Sequence, residues 1–129
     1  MRLDRASWAF LLWPFVVVLL SDRGRLNADT KYDLTVAPRR LIDASLSTWD
    51  EVSHGGWVLQ QHAGYLWPSG PFFSVTDALP DWVQQRLWLA LIIVAGGMGA
   101  RWAARTVGIA PAIATLAGLI YQCSPYLVP

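Results

Sequence analysis

The chain has little charge and almost no cysteine. Charged residues make up 15% of its 129 residues, where a soluble domain carries about a quarter. That deficit argues against an ordinary soluble globular domain. Cys123 is the single cysteine, so an internal disulfide and a cysteine metal cluster are both excluded. Among apolar neighbours it reads as a small buried hydrophobe. The net charge is +1, so no broad basic field exists to attract nucleic acid. No phosphate-loop pattern, His-Glu-x-x-His or nucleophile elbow occurs. The two histidines, His54 and His62, stand near Asp50 and Glu51. Solvated loop histidines are commoner than ligands, so the reading assigns no metal and no cofactor.

What the chain does have is apolar length and tryptophan. Hydrophobic residues are 54% of the sequence, eight residues are Trp, and mean hydropathy is +0.35. This predicts an all-α membrane protein with three transmembrane helices. The first apolar run, 8–20, follows Arg2 and Arg5. It is short, and a signal-peptide core competes with it. However, Ser21, Asp22, Arg23, Gly24 and Arg25 offer no small-x-small cleavage site. Extended to about 6–21, it reads as an uncleaved first span whose arginines snorkel. Pro14 lies inside it. Pro80 and Asp81 are helix-start residues ahead of a second span at about 82–104. Residues 82–101 measure about 30 Å as a helix, the thickness of a bilayer core. The third span is read at about 107–127, with Pro111 near its start.

Residues 22–81 form a long loop in which acids outnumber bases. Pro38 followed by 39–49 predicts a short helix with Pro at its first position. Its apolar stripe, Ile42, Leu46 and Trp49, suits either an interfacial helix or one packed within the loop. Further on, the Gly- and Pro-punctuated stretch 55–73 predicts repeated turns. Its aromatics Trp57, Tyr65, Trp67, Phe72 and Phe73 either pack at the membrane edge or line a groove for a lipid or sugar. Arg2, Arg5, Arg101 and Arg105 flank the spans on one side. The positive-inside rule puts that side in the cytoplasm and turns the acidic loop outward.

The segment 27–34 follows the first span directly. It carries Asp29, Lys31 and Asp33. Carboxylates close to a hydrocarbon boundary are costly and therefore functional candidates. On spacing alone, solvated loop acids are the commoner reading.

Several blocks together carry a family resemblance. They are Asp29-Thr-Lys-Tyr-Asp-Leu34, Trp49-Asp50, Gln60-Gln61, Gly64-Tyr-Leu-Trp-Pro-Ser-Gly-Pro-Phe-Phe73, Trp82-Val-Gln-Gln-Arg-Leu-Trp88, and the Tyr121-x-x-Ser-Pro125 of the third run. With these the chain resembles the amino-terminal region of the actinobacterial alpha-(1->3)-arabinofuranosyltransferases of the GT-C glycosyltransferase superfamily. The resemblance implies a partial GT-C fold: three spans and a long outer loop, 22–81, carrying short interfacial helices.

It also implies a multi-pass protein of the plasma membrane, in contact with membrane lipid. The sugar donor would be decaprenyl-phosphoryl arabinofuranose, a polyprenyl-phosphate sugar. The acceptor would be a polysaccharide, an arabinan of the cell envelope. Asp29 takes the place of the family's base, with Asp33 as second choice. Lys31, Gln61, Tyr65 and Trp67 would bind the donor. Family members are far longer, so the resemblance implies an amino-terminal fragment, inactive alone, whose partner would be the rest of a split transferase. The alternative is a small non-catalytic membrane interaction protein.

Overall fold

A computed structural model describes residues 5–21, 23–27, 32–47, 49–50, 56–58, 64 and 67–124. The described chain is helical apart from one two-residue strand pair. In order it forms α1 (Arg5–Leu20), α2 (Tyr32–Val36), α3 (Pro38–Ser45), β1 (Trp49–Asp50), β2 (Trp57–Val58), α4 (Ser69–Thr76), α5 (Asp81–Thr106) and α6 (Pro111–Gln122). It divides into two compact units, 1–23 with 86–129, and 24–85.

The first unit holds α1, most of α5, and α6. Its helices are apolar on their outer faces as well as at their contacts. Trp8, Leu12, Val16, Ile113, Leu116 and Ile120 are exposed, while Phe10, Val18, Ala90, Ile93 and Ala114 are buried. A helix that is apolar all round suits lipid better than water. Among the described residues one helix, Asp81–Thr106, is long and apolar enough to cross a bilayer; the apolar helices Phe10–Leu20 and Pro111–Gln122 are shorter.

Small residues bring these helices together. A Cβ on Gly118 would stand 2.8 Å from the Gly97 carbonyl oxygen and 3.0 Å from the Phe10 ring. A Cβ on Gly97 would run into the Gln122 side chain. Such close approach is how helices gain contact where lipid removes the hydrophobic drive. At the same crossing Gln122 is fully buried. Its Oε1 accepts from the Trp13 indole N–H at 2.8 Å, and its Nε2 donates to the Phe10 carbonyl at 3.4 Å. Pro14 explains the second bond. In an α-helix the Phe10 carbonyl would accept from the N–H of residue 14, and proline has none. A neighbouring helix here supplies the missing donor, as an apolar surrounding demands.

The second unit is built from α2, α3 and α4, which pack on one another. Leu34, Leu41 and Phe73 are its buried apolar residues, with Thr35, Ser45 and Ser69 buried beside them. Helix α3 starts as expected, with Pro38 in its first turn, but it ends at Ser45. Trp49 lies instead in β1, paired with Val58. Ser47 accounts for the early stop. Its Oγ donates to the Trp49 carbonyl at 2.8 Å and accepts from the Trp49 N–H at 3.2 Å. A serine offering such local bonds competes with the helix ladder. The buried face of α3 is therefore Pro38, Leu41 and Ser45, and Leu46 and Trp49 are exposed. The Trp49 ring lies over Gly56, whose φ of +113° and lack of a Cβ both suit that approach.

The stretch expected to turn repeatedly contains a helix, α4, whose third residue is Pro71. Proline is tolerated in a first helical turn because its N–H would have no helical partner there. Buried Phe73 then anchors the helix, its ring edge-on to Phe72 at 5.3 Å. Cys123, at the C-cap of α6, is exposed, not buried.

Candidate functional site

The start of α5 is the best-defined part of the candidate site. Pro80 opens the helix by accepting from the N–H groups of Val83 and Gln84. This leaves Gln84 and Gln85 in the first turns, within the 24–85 unit. Gln84 is fully buried. Its Nε2 donates to the Leu79 carbonyl at 3.0 Å, and its Oε1 accepts from Thr76 Oγ1 at 3.3 Å. The first holds the connection leading into α5, and the second ties the end of α4 to the helix.

Gln85 reaches back across 58 residues of sequence. Its Oε1 accepts from the Asn27 N–H at 2.8 Å, and its Nε2 donates to the Asn27 carbonyl at 3.0 Å. The amide thus pairs with both backbone groups of one residue, as a neighbouring strand would. Asn27 precedes Asp29 by two positions. The clamp therefore fixes the chain at the entry to the acidic segment. Arg86, next along α5, is also buried. Arg39 and Asp77 approach to 3.7 Å, but both are substantially exposed, so water screens the pair.

Of the residues singled out from sequence, Asp29, Lys31, Gln61 and Tyr65 lie outside the described residues, as do His54 and His62. Asp33 lies in α2, where its backbone alone is described. Trp67 is 77% exposed and precedes the cis peptide bond to Pro68. An exposed tryptophan beside a packed helix is available for contact with a ligand or with lipid headgroups. Among the described residues no group of three His, Cys, Asp or Glu could hold a metal ion. The Ser74 hydroxyl on α4 is buried without a partner among the described residues.

Sequence reasoning missed the specific role of Gln85. The signal was visible: Gln84, Gln85 and Arg86 are polar at the start of an apolar helix, where each needs a partner. Among the described residues one helix, Asp81–Thr106, has the length and apolar composition of a membrane-crossing segment.

Comparison with known proteins places the chain in a family. The family described as "Alpha-(1->3)-arabinofuranosyltransferase, N-terminal GT-C domain" matches residues 13–128, and the chain belongs to this family. Two similar relatives are both called alpha-(1->3)-arabinofuranosyltransferase. The Mycolicibacterium smegmatis protein is 36% identical over 105 residues, covering 80% of this chain and 7% of that protein. The Mycobacterium tuberculosis protein is 33% identical over 105 residues, covering 79% of this chain and 8% of that protein. The chain thus spans under a tenth of the length of these relatives. No solved structure gives a significant match.

Proposed function

We propose that this chain forms the amino-terminal part of a multi-pass plasma-membrane arabinofuranosyltransferase. It moves arabinofuranose from a polyprenyl-phosphate donor to a cell-envelope arabinan. Three spans, at about 6–21, 82–104 and 107–127, carry the loop 22–81 on the outer face. The observation that carries the reading is the family match over 13–128, which includes the acidic segment.

The chemistry needs few groups. Phosphate leaves readily, so a strong general acid is not required. Asp29 acts as general base, with Asp33 as second choice. An acceptor hydroxyl attacks the anomeric carbon as the carboxylate takes its proton. The bond from that carbon to the phosphate oxygen breaks, and polyprenyl phosphate leaves with the electron pair. One such displacement inverts the anomeric centre. Lys31 offsets the charge growing on the phosphate. Gln61, Tyr65 and Trp67 shape the donor groove.

Three helices do not wall a groove for a polyprenyl chain, so residues 1–129 alone transfer no sugar. The test is a chimera. Residues 13–128 replace the matching region of the M. smegmatis relative, and arabinose transfer is measured in membranes. Transfer above that of a deletion control supports the proposal. A well-folded chimera without transfer favours the non-catalytic interaction protein. Transfer by the isolated chain would overturn the need for further helices.

A further inference from the structure

The far end of α5 carries a feature outside the candidate site described above. Met98, Arg101, Trp102 and Arg105 line a recess of about 290 Å³. Their spacing of three and four residues puts them on one helix face. Met98 and Trp102 are 51% and 71% exposed, so the recess has an apolar wall open to the surroundings. Arg105 is held in place, its Nη1 donating to the Ile109 carbonyl at 3.1 Å. Arg101 makes no hydrogen bond or ion pair among the described residues.

The charge around these arginines is one-sided. From Arg86 to Pro129 the sequence contains no Asp or Glu. Two guanidinium groups one turn apart therefore lack a carboxylate in their part of the chain. They stand at and just beyond the end of the run 82–101, about 30 Å of helix and the thickness of a bilayer core. This places them where a helix leaving hydrocarbon meets headgroups. Guanidinium forks match phosphate oxygens, and Trp suits the glycerol level of a bilayer.

We propose that Met98, Arg101, Trp102 and Arg105 form a binding site for the phosphate of an anionic glycerophospholipid. Arg101 and Arg105 grip the headgroup, and Met98 and Trp102 lie along the glycerol and the upper acyl chains. The occupant is a lipid rather than free phosphate, because the lining of the recess is mostly apolar. An anionic lipid fits better than a zwitterionic one, whose positive group would face two unbalanced arginines. The inference rests on α5 crossing a bilayer, as proposed above.

The test uses the 129-residue chain in detergent micelles. Phosphatidylglycerol or phosphatidylcholine is added, and retained lipid is counted by native mass spectrometry. The expected result is preferential retention of phosphatidylglycerol. Each arginine should contribute about fivefold, so R101Q/R105Q should weaken retention by roughly 25-fold. R39Q/R40Q should leave it unchanged. Because Arg105 also binds the Ile109 carbonyl, Arg101→Gln alone provides the variant least able to disturb folding. Equal retention of the two lipids, or undiminished retention in Arg101→Gln, overturns the site. Displacement of the lipid by inorganic phosphate at about ten millimolar, over and above a matched chloride control, would instead mark a free-phosphate site. Extraction of the chain from cell membranes by alkaline carbonate would remove the membrane-spanning reading itself. Firm incorporation without headgroup preference would sink the lipid site alone.

Discussion

Gln122→Leu tests the packing of the apolar unit. Leucine roughly keeps the volume but offers no polar atom. The Trp13 indole N–H then loses an acceptor at 2.8 Å, and the Phe10 carbonyl loses the donor that stands in for the one Pro14 lacks. An interhelical side-chain bond in an apolar setting is worth about 0.6–2 kcal/mol. Stranding a buried polar group costs about 1–3 kcal/mol. Trp13 is half-buried and the bond to Phe10 is long, so the expected loss is about 2 kcal/mol. The assay is reversible unfolding in detergent, followed by circular dichroism. Trp13→Phe alone should also destabilise, because it strands the Gln122 oxygen. The pair Trp13→Phe and Gln122→Leu should cost less than the two singles together, with a coupling of about 1 kcal/mol. In a Pro14→Ala background the Phe10 carbonyl regains its helical donor, so Gln122→Leu should cost less. Additivity within about 0.3 kcal/mol, with no effect of Pro14→Ala, would refute the reasoning.

Other outcomes follow from the same geometry. Gly118→Ala pushes a methyl group at the Gly97 backbone carbonyl and the buried Phe10 ring. It should destabilise by about 1–3 kcal/mol in the same unfolding assay. Gln85→Ala removes both bonds to Asn27 and should speed hydrogen exchange at the Asn27 amide about threefold to tenfold, while the Leu41 amide is unchanged. For topology, Cys123→Ser first removes the exposed native thiol. Ser21→Cys should then react with an impermeant maleimide on intact cells, and Val107→Cys after permeabilisation alone. The reverse pattern would turn the loop inward and remove Asp29 from the outer face.

Much of the helical framework was legible because its causes are local. An apolar run predicts a helix wherever its length is fixed, and Pro38, Pro80 and Pro111 each stand at or just before a helix start. Local competition was harder to see. Ser47 ends α3 through its own hydroxyl, which no apolar stripe reports. Gly70 and Pro71 signal a turn by type, yet Phe73 finds a core that stabilises a helix through them. Long-range pairing was hardest. Gln122 at the end of an apolar run looks like the edge of a span. Its role depends on Pro14 and Trp13, more than a hundred residues earlier. For the candidate site, sequence offered two carboxylates and a lysine after the first span, of which Asp29 and Lys31 lie outside the described residues. It did not name Gln85, because the clamp on Asn27 closes a 58-residue separation.

The central claim is that a carboxylate in the loop after the first span drives sugar transfer. The most direct measurement compares initial rates of arabinose transfer by the chimera carrying residues 13–128, with Asp29→Asn and with Asp33→Asn. Asp29→Asn should lower the rate at least about a hundredfold with expression and folding unchanged, and Asp33→Asn should lower it far less. An Asp29→Asn chimera that keeps its rate would contradict the account.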